Sequence, residues 1–494
     1  MSSEAKMIRD RERNDLTTGS ITKKLVFFSL PIIVGNLAQQ LYNVVDSIVV
    51  GNFAANGTEC LAAVNASFPV MMVFNALYMG ISMGSNIIIA QYKGAKDHER
   101  LEDTMTTTFV LSMLAGLVIT VLGLIFARPI LEALNTPDNI IEDAAVYLRI
   151  VFIGTCGNVV YNGFNGMLRG LGDAKWPLYA LLVSSGLNIV LDIVFVMFFH
   201  WDVAGVAWAT IIAHFISGLL LVWRQTSGVY GAKVNFRKLR VNGEIAKLIV
   251  RLGTPAAVQN LAFSGGMLIN QSFSNRFSSD FIAANAIMMK VDGFAIMPMM
   301  GFNNAITTYV GQNIGAGNMK RVNRGIRTTL IISICCTLVV SVLMVLFGKY
   351  IMMAFGVTEK VLLMGVRGLS FVAFFYVFMA IQSVLTGALR GAGDAITSAV
   401  TSVVGTLVRV PLGWLLSIMP LNRDCQAAVD AGLYATRQLA EKAGVGMEHY
   451  FGLFQTWGFG MVVGVLLIVP CYLFGHWRDK AITSGGRLSE KAAQ

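Results

Sequence analysis

Charge is scarce in this chain. Only 13% of its 494 residues are Asp, Glu, Lys or Arg, and 55% are hydrophobic. Soluble domains carry about 25% charged residues. The apolar residues come in long continuous runs, which excludes both a soluble core of short elements and the period-two alternation of a membrane barrel. Six cysteines, Cys60, Cys156, Cys335, Cys336, Cys425 and Cys471, have no metal-ligand spacing, and the five histidines are scattered. No catalytic His, Ser or metal cluster stands out, so neither an enzyme nor a cofactor is expected. Basic residues do not interleave with aromatic ones, so the net charge of +10 does not point to nucleic acid. The first twenty-odd residues are polar and the first apolar run has full span length, so no cleavable leader is expected.

What remains is a polytopic α-helical membrane protein, because helices satisfy their own backbone hydrogen bonds in lipid. Twelve spans are expected, near 25–50, 60–91, 104–127, 141–168, 176–199, 203–224, 246–274, 281–312, 325–348, 359–389, 395–419 and 452–475. Loops on one side are rich in Lys and Arg, among them Lys93, Arg169, Lys238, Arg321 and Arg478. Basic loops stay inside, so both termini are expected in the cytoplasm and the protein in the cell membrane.

The chain repeats itself. Gln91-Tyr92-Lys93-Gly94-Ala95 returns as Gln312-Asn313-Ile314-Gly315-Ala316, and Leu168-Arg169-Gly170-Leu171-Gly172-Asp173 returns as Leu389-Arg390-Gly391-Ala392-Gly393-Asp394, both at a spacing of 221 residues. Pro31 and Asn36 return as Pro255 and Asn260 at a spacing of 224. Two six-helix lobes, 1–224 and 244–494, are joined by a linker at 225–243. An even number of spans per lobe makes them related by a pseudo-two-fold along the membrane normal. An external insertion near 420–450 breaks the second repeat. Its core, 426–443, reads as a surface helix that the bundle can spare.

Intramembrane acids are costly and usually functional. Asp46, Asp192 and Thr210 fall roughly 8–10 Å below the outer ends of the first, fifth and sixth spans, at 1.5 Å per residue. Asn188 shares the face of Asp192 one turn earlier. Asn36, Gln39, Asn43 and Asp46 form one stripe in the first span, and Asn158, Asn162 and Asn165 a second in the fourth, with Tyr147 near its outer end. Two carboxylates among hydroxyl and amide oxygens can hold Na⁺ or share a proton; the bland reading is a hydrogen-bond network that ties helices together.

At these residues the sequence resembles the multidrug and toxic compound extrusion (MATE) family, in its DinF-type prokaryotic branch. The resemblance rests on the duplicated segments above and on Asp46-Ser47-Ile48 ending the first span, and it covers nearly the whole chain except 420–450. It implies a V-shaped pair of lobes and export of small cationic or amphiphilic molecules against H⁺ or Na⁺. It also implies a cation or proton site of Asp46, Asn188, Asp192, Thr210, Tyr147 and Asn162. Acids that some relatives carry in the seventh and tenth spans are missing here, and Gln259 is the nearest polar group in the seventh. Repeat spacing puts Asn270 where the first lobe has Asp46, Arg409 where it has Asn188, and Gly413 where it has Asp192, so coupling is expected in the first lobe alone.

A flippase for a lipid-linked saccharide shares the architecture, but would want a basic cavity where this chain has Asn, Gln, Tyr and Asp. Met297-Pro298-Met299-Met300 suits either ordinary packing or promiscuous apolar binding. A monomer is expected, with the bilayer and small substrates as its partners. Two structural expectations follow. Pro31 and Pro255 should make their helices irregular. Asp292 and Arg409, both near the midplane, should form an ion pair, the rival being that each faces the wet cavity separately.

Overall fold

A computed structural model describes residues 14–53, 57–134, 136–237 and 239–483; side chains at 43, 44, 46–53, 57, 58 and 61 also lie outside the description. Among the described residues there are helices and no strands. The first lobe holds α1 (Ile21–Phe53), α2 (Gly57–Ala95), α3 (His98–Ala133), α4 (Asp138–Ile153), α5 (Thr155–Gly170), α6 (Lys175–Ile193) and α7 (Asp202–Thr226). The second holds α8 (Gly243–Ser274), α9 (Ser279–Gly315), α10 (Met319–Met353), α11 (Glu359–Gly391), α12 (Ala395–Leu407), α13 (Arg409–Gly413), α14 (Met419–Asp430), α15 (Arg437–Lys442) and α16 (Phe451–Phe474). The lobes meet where α1 and α2 pack against α8 and α9.

Among the described residues, ten helical segments are long and apolar enough to cross a membrane, and the bent pair α4 and α5 makes an eleventh. The seventh expected span, α8, falls outside that set because Gln259, Asn260, Ser264, Asn270 and Gln271 dilute its apolar residues. The α2 and α9 helices run 39 and 37 residues, so at 1.5 Å per residue both exceed the bilayer core, as their sequence length implied.

Neither repeat-related proline breaks its helix. Both α1 and α8 remain helical through Pro31 and Pro255. One missing N–H per helix is too little to break a helix packed on its neighbours. The bend comes instead at Gly154, where α4 and α5 meet at 51°. A Cβ there would lie 2.2 Å from Cγ1 of Ile211, so only glycine lets α7 approach this closely. Two π-helical turns are the other departures: Val194–Phe198 just after Asp192, and Trp414–Ile418 just after Gly413. They occupy equivalent places in the repeat, and such turns concentrate at functional sites.

The repeated motifs explain themselves at the end of the bundle where the described chain begins and ends. Gln312 Nε2 of the second lobe donates to Gly170 O of the first at 2.9 Å, and its Oε1 accepts from Leu16 N at 3.0 Å. Reciprocally, Gln91 Nε2 donates to Gly391 O at 3.0 Å, and its Oε1 accepts from Ile482 N at 2.8 Å. Both glutamines are fully buried. The motif aspartates hold the same segments: Asn14 Nδ2 donates to Asp173 at 3.3 Å, and Lys480 pairs with Asp394 at 2.8 Å. The linker docks on the first lobe, with Asn235 N and Asn242 N donating to Thr106 and Thr107. Its Tyr230 hydroxyl donates to Asp173 at 2.7 Å. Burial, and after it the Asp173 carboxylate, pushes that hydroxyl far above its ordinary range, so it stays a donor.

The insertion is not one spare surface helix. Gly432, with φ of +70°, ends α14, and α15 begins at Arg437. Leu421, Cys425, Ala428 and Ala440 enter the apolar cluster of the second lobe with Phe281 and Leu453. Arg276 after α8 ties Glu441 down at 2.7 Å. A buried apolar face and an ion pair pack this segment onto the second lobe.

The closed end leaves no room for a side chain at its glycines. A Cβ on Gly315 would sit 2.0 Å from Gln91 O, and one on Gly94 would sit 1.9 Å from Gln312 O. Gly315→Val should therefore keep the lobes from closing here and strip Leu16 and Ile482 of their glutamine acceptors. Hydrogen exchange of the peptides holding those two amides should speed up by at least tenfold, and unchanged protection would count against this account.

Candidate functional site

The first-lobe residues gather into two polar networks joined by a ring contact. In the first network, α6 and α7 bring Asn188, Asp192 and Thr210 together. Asn188 and Asp192 are buried, at 1% and 0% exposure. The Asn188 amide is best satisfied with its nitrogen donating to Asp192 Oδ2 at 2.8 Å and its oxygen accepting from Thr210 N at 3.2 Å. One turn further along α7, His214 Nδ1 lies 2.8 Å from Thr210 O. A carbonyl only accepts, so Nδ1 carries the proton.

The second network lies between α2 and α5. Asn162 Nδ2 donates to Asn158 Oδ1 at 2.7 Å, and Asn158 Nδ2 donates to the Tyr78 hydroxyl at 3.3 Å. That hydroxyl donates in turn to Asn75 Oδ1. Ser82 Oγ donates to Asn162 O at 2.7 Å. The ring of Tyr161, between the two asparagines, meets the His214 ring edge-on at 6.1 Å and links the networks. Tyr147 is buried against Val196, Val203, Val206 and Ala207, an apolar cluster that reaches Ile211 beside Thr210. Asn36 is half-buried and Gln39 exposed along α1. The side chains of Asn43 and Asp46 lie outside the described residues, although their backbone is part of α1.

His214, Tyr78 and Asn75 are the members that sequence reasoning missed. The available signal was spacing: His214 is four residues from Thr210 on one helical face, and Asn75 and Tyr78 are three apart. A long apolar span hides such single polar residues unless a partner helix is already known.

Among the described residues Asp292 and Arg409 do not come within ion-pair distance, although their charges still act on each other. The Tyr376 hydroxyl on α11 donates to Asp292 Oδ1 on α9, and Asp292 is 5% exposed. Arg409 lies instead over the Trp457 ring of α16, 4.6 Å from its centroid. Depth along each span placed the two charges at one level, but neighbouring aromatic side chains took each of them first.

Tyr376→Phe should leave a buried carboxylate without its donor. A loss of roughly 1–3 kcal/mol is expected for such a group, seen as a lower thermal unfolding midpoint in detergent. The same change in an Asp292→Asn background should cost clearly less, and equal costs in both backgrounds would mean that the hydroxyl does not serve Asp292.

The MatE family model matches residues 31–194 and 255–415, which begin at the two repeat-related prolines and together cover most of the chain. Among curated proteins, the chain is 31% identical over 408 residues to the probable multidrug resistance protein YpnP of Bacillus subtilis, covering 82% of this chain and 90% of that protein. It is 25% identical over 490 residues to the probable multidrug resistance protein NorM of Thermotoga maritima, covering 95% and 96%. Among solved structures, an outward-facing multidrug resistance MATE family transporter superposes with a TM-score of 0.81 at 23% identity, covering 96% of this chain and 98% of that one. The matched fold has two six-helix lobes, and both halves of the repeat fall inside the family match; this chain is a polytopic membrane protein that belongs to the MatE family of transporters.

Proposed function

We propose that this protein is a secondary active exporter of small amphiphilic or cationic molecules, antiporting them against H⁺ or Na⁺ by alternating access. The observation that carries the reading is the buried carboxylate of Asp192, which accepts from the Asn188 amide, whose oxygen in turn accepts from Thr210 N on α7. An acid so placed in a membrane span is a functional site by default. Ion binding there changes the charge of a dry contact between α6 and α7, and the π-helical turn directly after Asp192 gives that contact somewhere to move. Coupling requires only that one lobe arrangement bind the ion better than the other.

The relatives named as multidrug resistance and multidrug export proteins support the substrate class. The excess of basic residues in loops on the side of the chain ends supports a cytoplasmic location for the closed end. The conformation with reciprocal glutamine bonds is then the outward-facing one. A monomer suffices, since both lobes come from one chain.

The test is dye efflux from vesicles of defined orientation under separately imposed H⁺ and Na⁺ gradients. Asp192→Asn and Asp46→Asn should each lower gradient-driven efflux at least tenfold at equal expression, while the protein still inserts. Wild-type efflux that responds to one gradient alone names the coupling ion. Wild-type rates in both variants would overturn the reading.

A further inference from the structure

The second lobe keeps a cavity where the first lobe has its ion site, and its polarity is reversed. The cavity is lined by Met267, Asn270 and Phe273 of α8, Thr406 and Arg409 near the α12–α13 break, and Trp457 of α16. Repeat spacing makes Asn270 the counterpart of Asp46, Arg409 that of Asn188, and Gly413 that of Asp192. Each carboxylate position has thus lost its acid, and the amide position has gained a guanidinium. The π-helical turn that follows the site is retained, at Trp414–Ile418.

Arg409 is not consumed by the protein. Its Nε is buried with no hydrogen-bond partner, and among the described residues the guanidinium makes no hydrogen bond and no ion pair. The Asn270 amide likewise makes no hydrogen bond to a described residue. Among the described residues, the carboxylate that acts on Arg409 is Asp292, and it is occupied by the Tyr376 hydroxyl. The Trp457 ring covers part of the guanidinium, which holds the charge in place but satisfies none of its N–H donors. Gly460 makes the space, since a Cβ there would lie 2.6 Å from Arg409 Nε. A guanidinium with free donors at membrane depth is costly unless something anionic meets it.

We propose that this cavity is an anion seat, in which Arg409 and Asn270 take the carboxylate of an amphiphilic substrate while its apolar body lies against Met267, Phe273 and Trp457. The cavity measures about 340 Å³ with its mouth, but only a water-sized group fits wholly inside. That matches one carboxylate oxygen seated on Arg409 with the rest of the molecule at the mouth. Arginine suits this task because its fork of donors fits a carboxylate. The two lobes then present opposite charges, so an amphoteric molecule is held by its anionic group in the second lobe while cations are handled in the first.

The assignment rests on the export reading for the route of the substrate, but binding can be measured with no gradient, so the two fail separately. The probes are tetramethylrhodamine as the free acid and its methyl ester, which differ only in whether the carboxylate is free. Binding to purified protein in nanodiscs is read by fluorescence anisotropy. Arg409→Gln should weaken the free acid by at least tenfold and leave the ester within about twofold. Gly460→Ala, which displaces Nε without removing charge, should show the same selectivity in weaker form, and Arg409→Lys should retain part of the preference. Thermal unfolding of each variant checks folding, and the Lys and Gly460 variants carry the test where Arg409→Gln does not fold. Equal loss of both dyes, or no loss of either, would overturn the proposal, showing Arg409 to be a packing residue.

Discussion

Two buried glutamines set the geometry on which the rest depends. Each donates to the last-turn glycine carbonyl of the opposite lobe and accepts from a backbone N–H of a terminal segment. Four hydrogen bonds at about 1 kcal/mol each give a closure of a few kcal/mol. That is a suitable size for a proposed switch: an ion or substrate need favour the other arrangement by only a similar amount. Lining glycines make the contact possible at all, because any Cβ at Gly94 or Gly315 would overlap a backbone oxygen across the interface. The same motifs therefore define the lobe boundary, the close approach and the seat of the segments holding Leu16 and Ile482.

Duplication supplied this symmetry, and divergence used it unevenly. Both lobes keep the glutamine, the glycine–aspartate turn and the π-helical turn of the fifth or eleventh span. The chemistry between those fixed points differs. The first lobe places Asp192 with Asn188 and Thr210; the second places Arg409 over Trp457 and Asp292 under Tyr376. The bend at Gly154 belongs to the first lobe alone, since the equivalent α11 runs unbroken through Phe375. A shared scaffold thus carries unlike buried groups in its two lobes.

Much of the first-lobe site was legible because its members sit at helical spacings within single spans: Asn188 with Asp192, and Asn158 with Asn162. The remainder was not, because it depends on which helix faces which. His214 joins through Tyr161, and Tyr78 joins through Asn158, each across a helix–helix contact. The two prolines show the same dependence on packing. A missing N–H marks a weak point in a helix, but the neighbouring helices decide whether it breaks; neither proline ends its helix, and the break falls at Gly154, beside Ile211.

By itself the sequence determined the solvent, the spans and the duplication, since hydrophobic runs, loop charge and repeat spacing are properties of the linear chain. It also placed the intramembrane acids, because a costly charge in an apolar run is visible without a fold. Only the tertiary structure decided partners: that Asp292 goes to Tyr376 rather than Arg409, that the insertion packs into the second lobe, and that Gln91 and Gln312 cross between lobes. Pairing depends on distances of a few ångströms between side chains far apart in sequence. Depth along a helix fixes one coordinate of each group and leaves its rotation and its neighbours to packing.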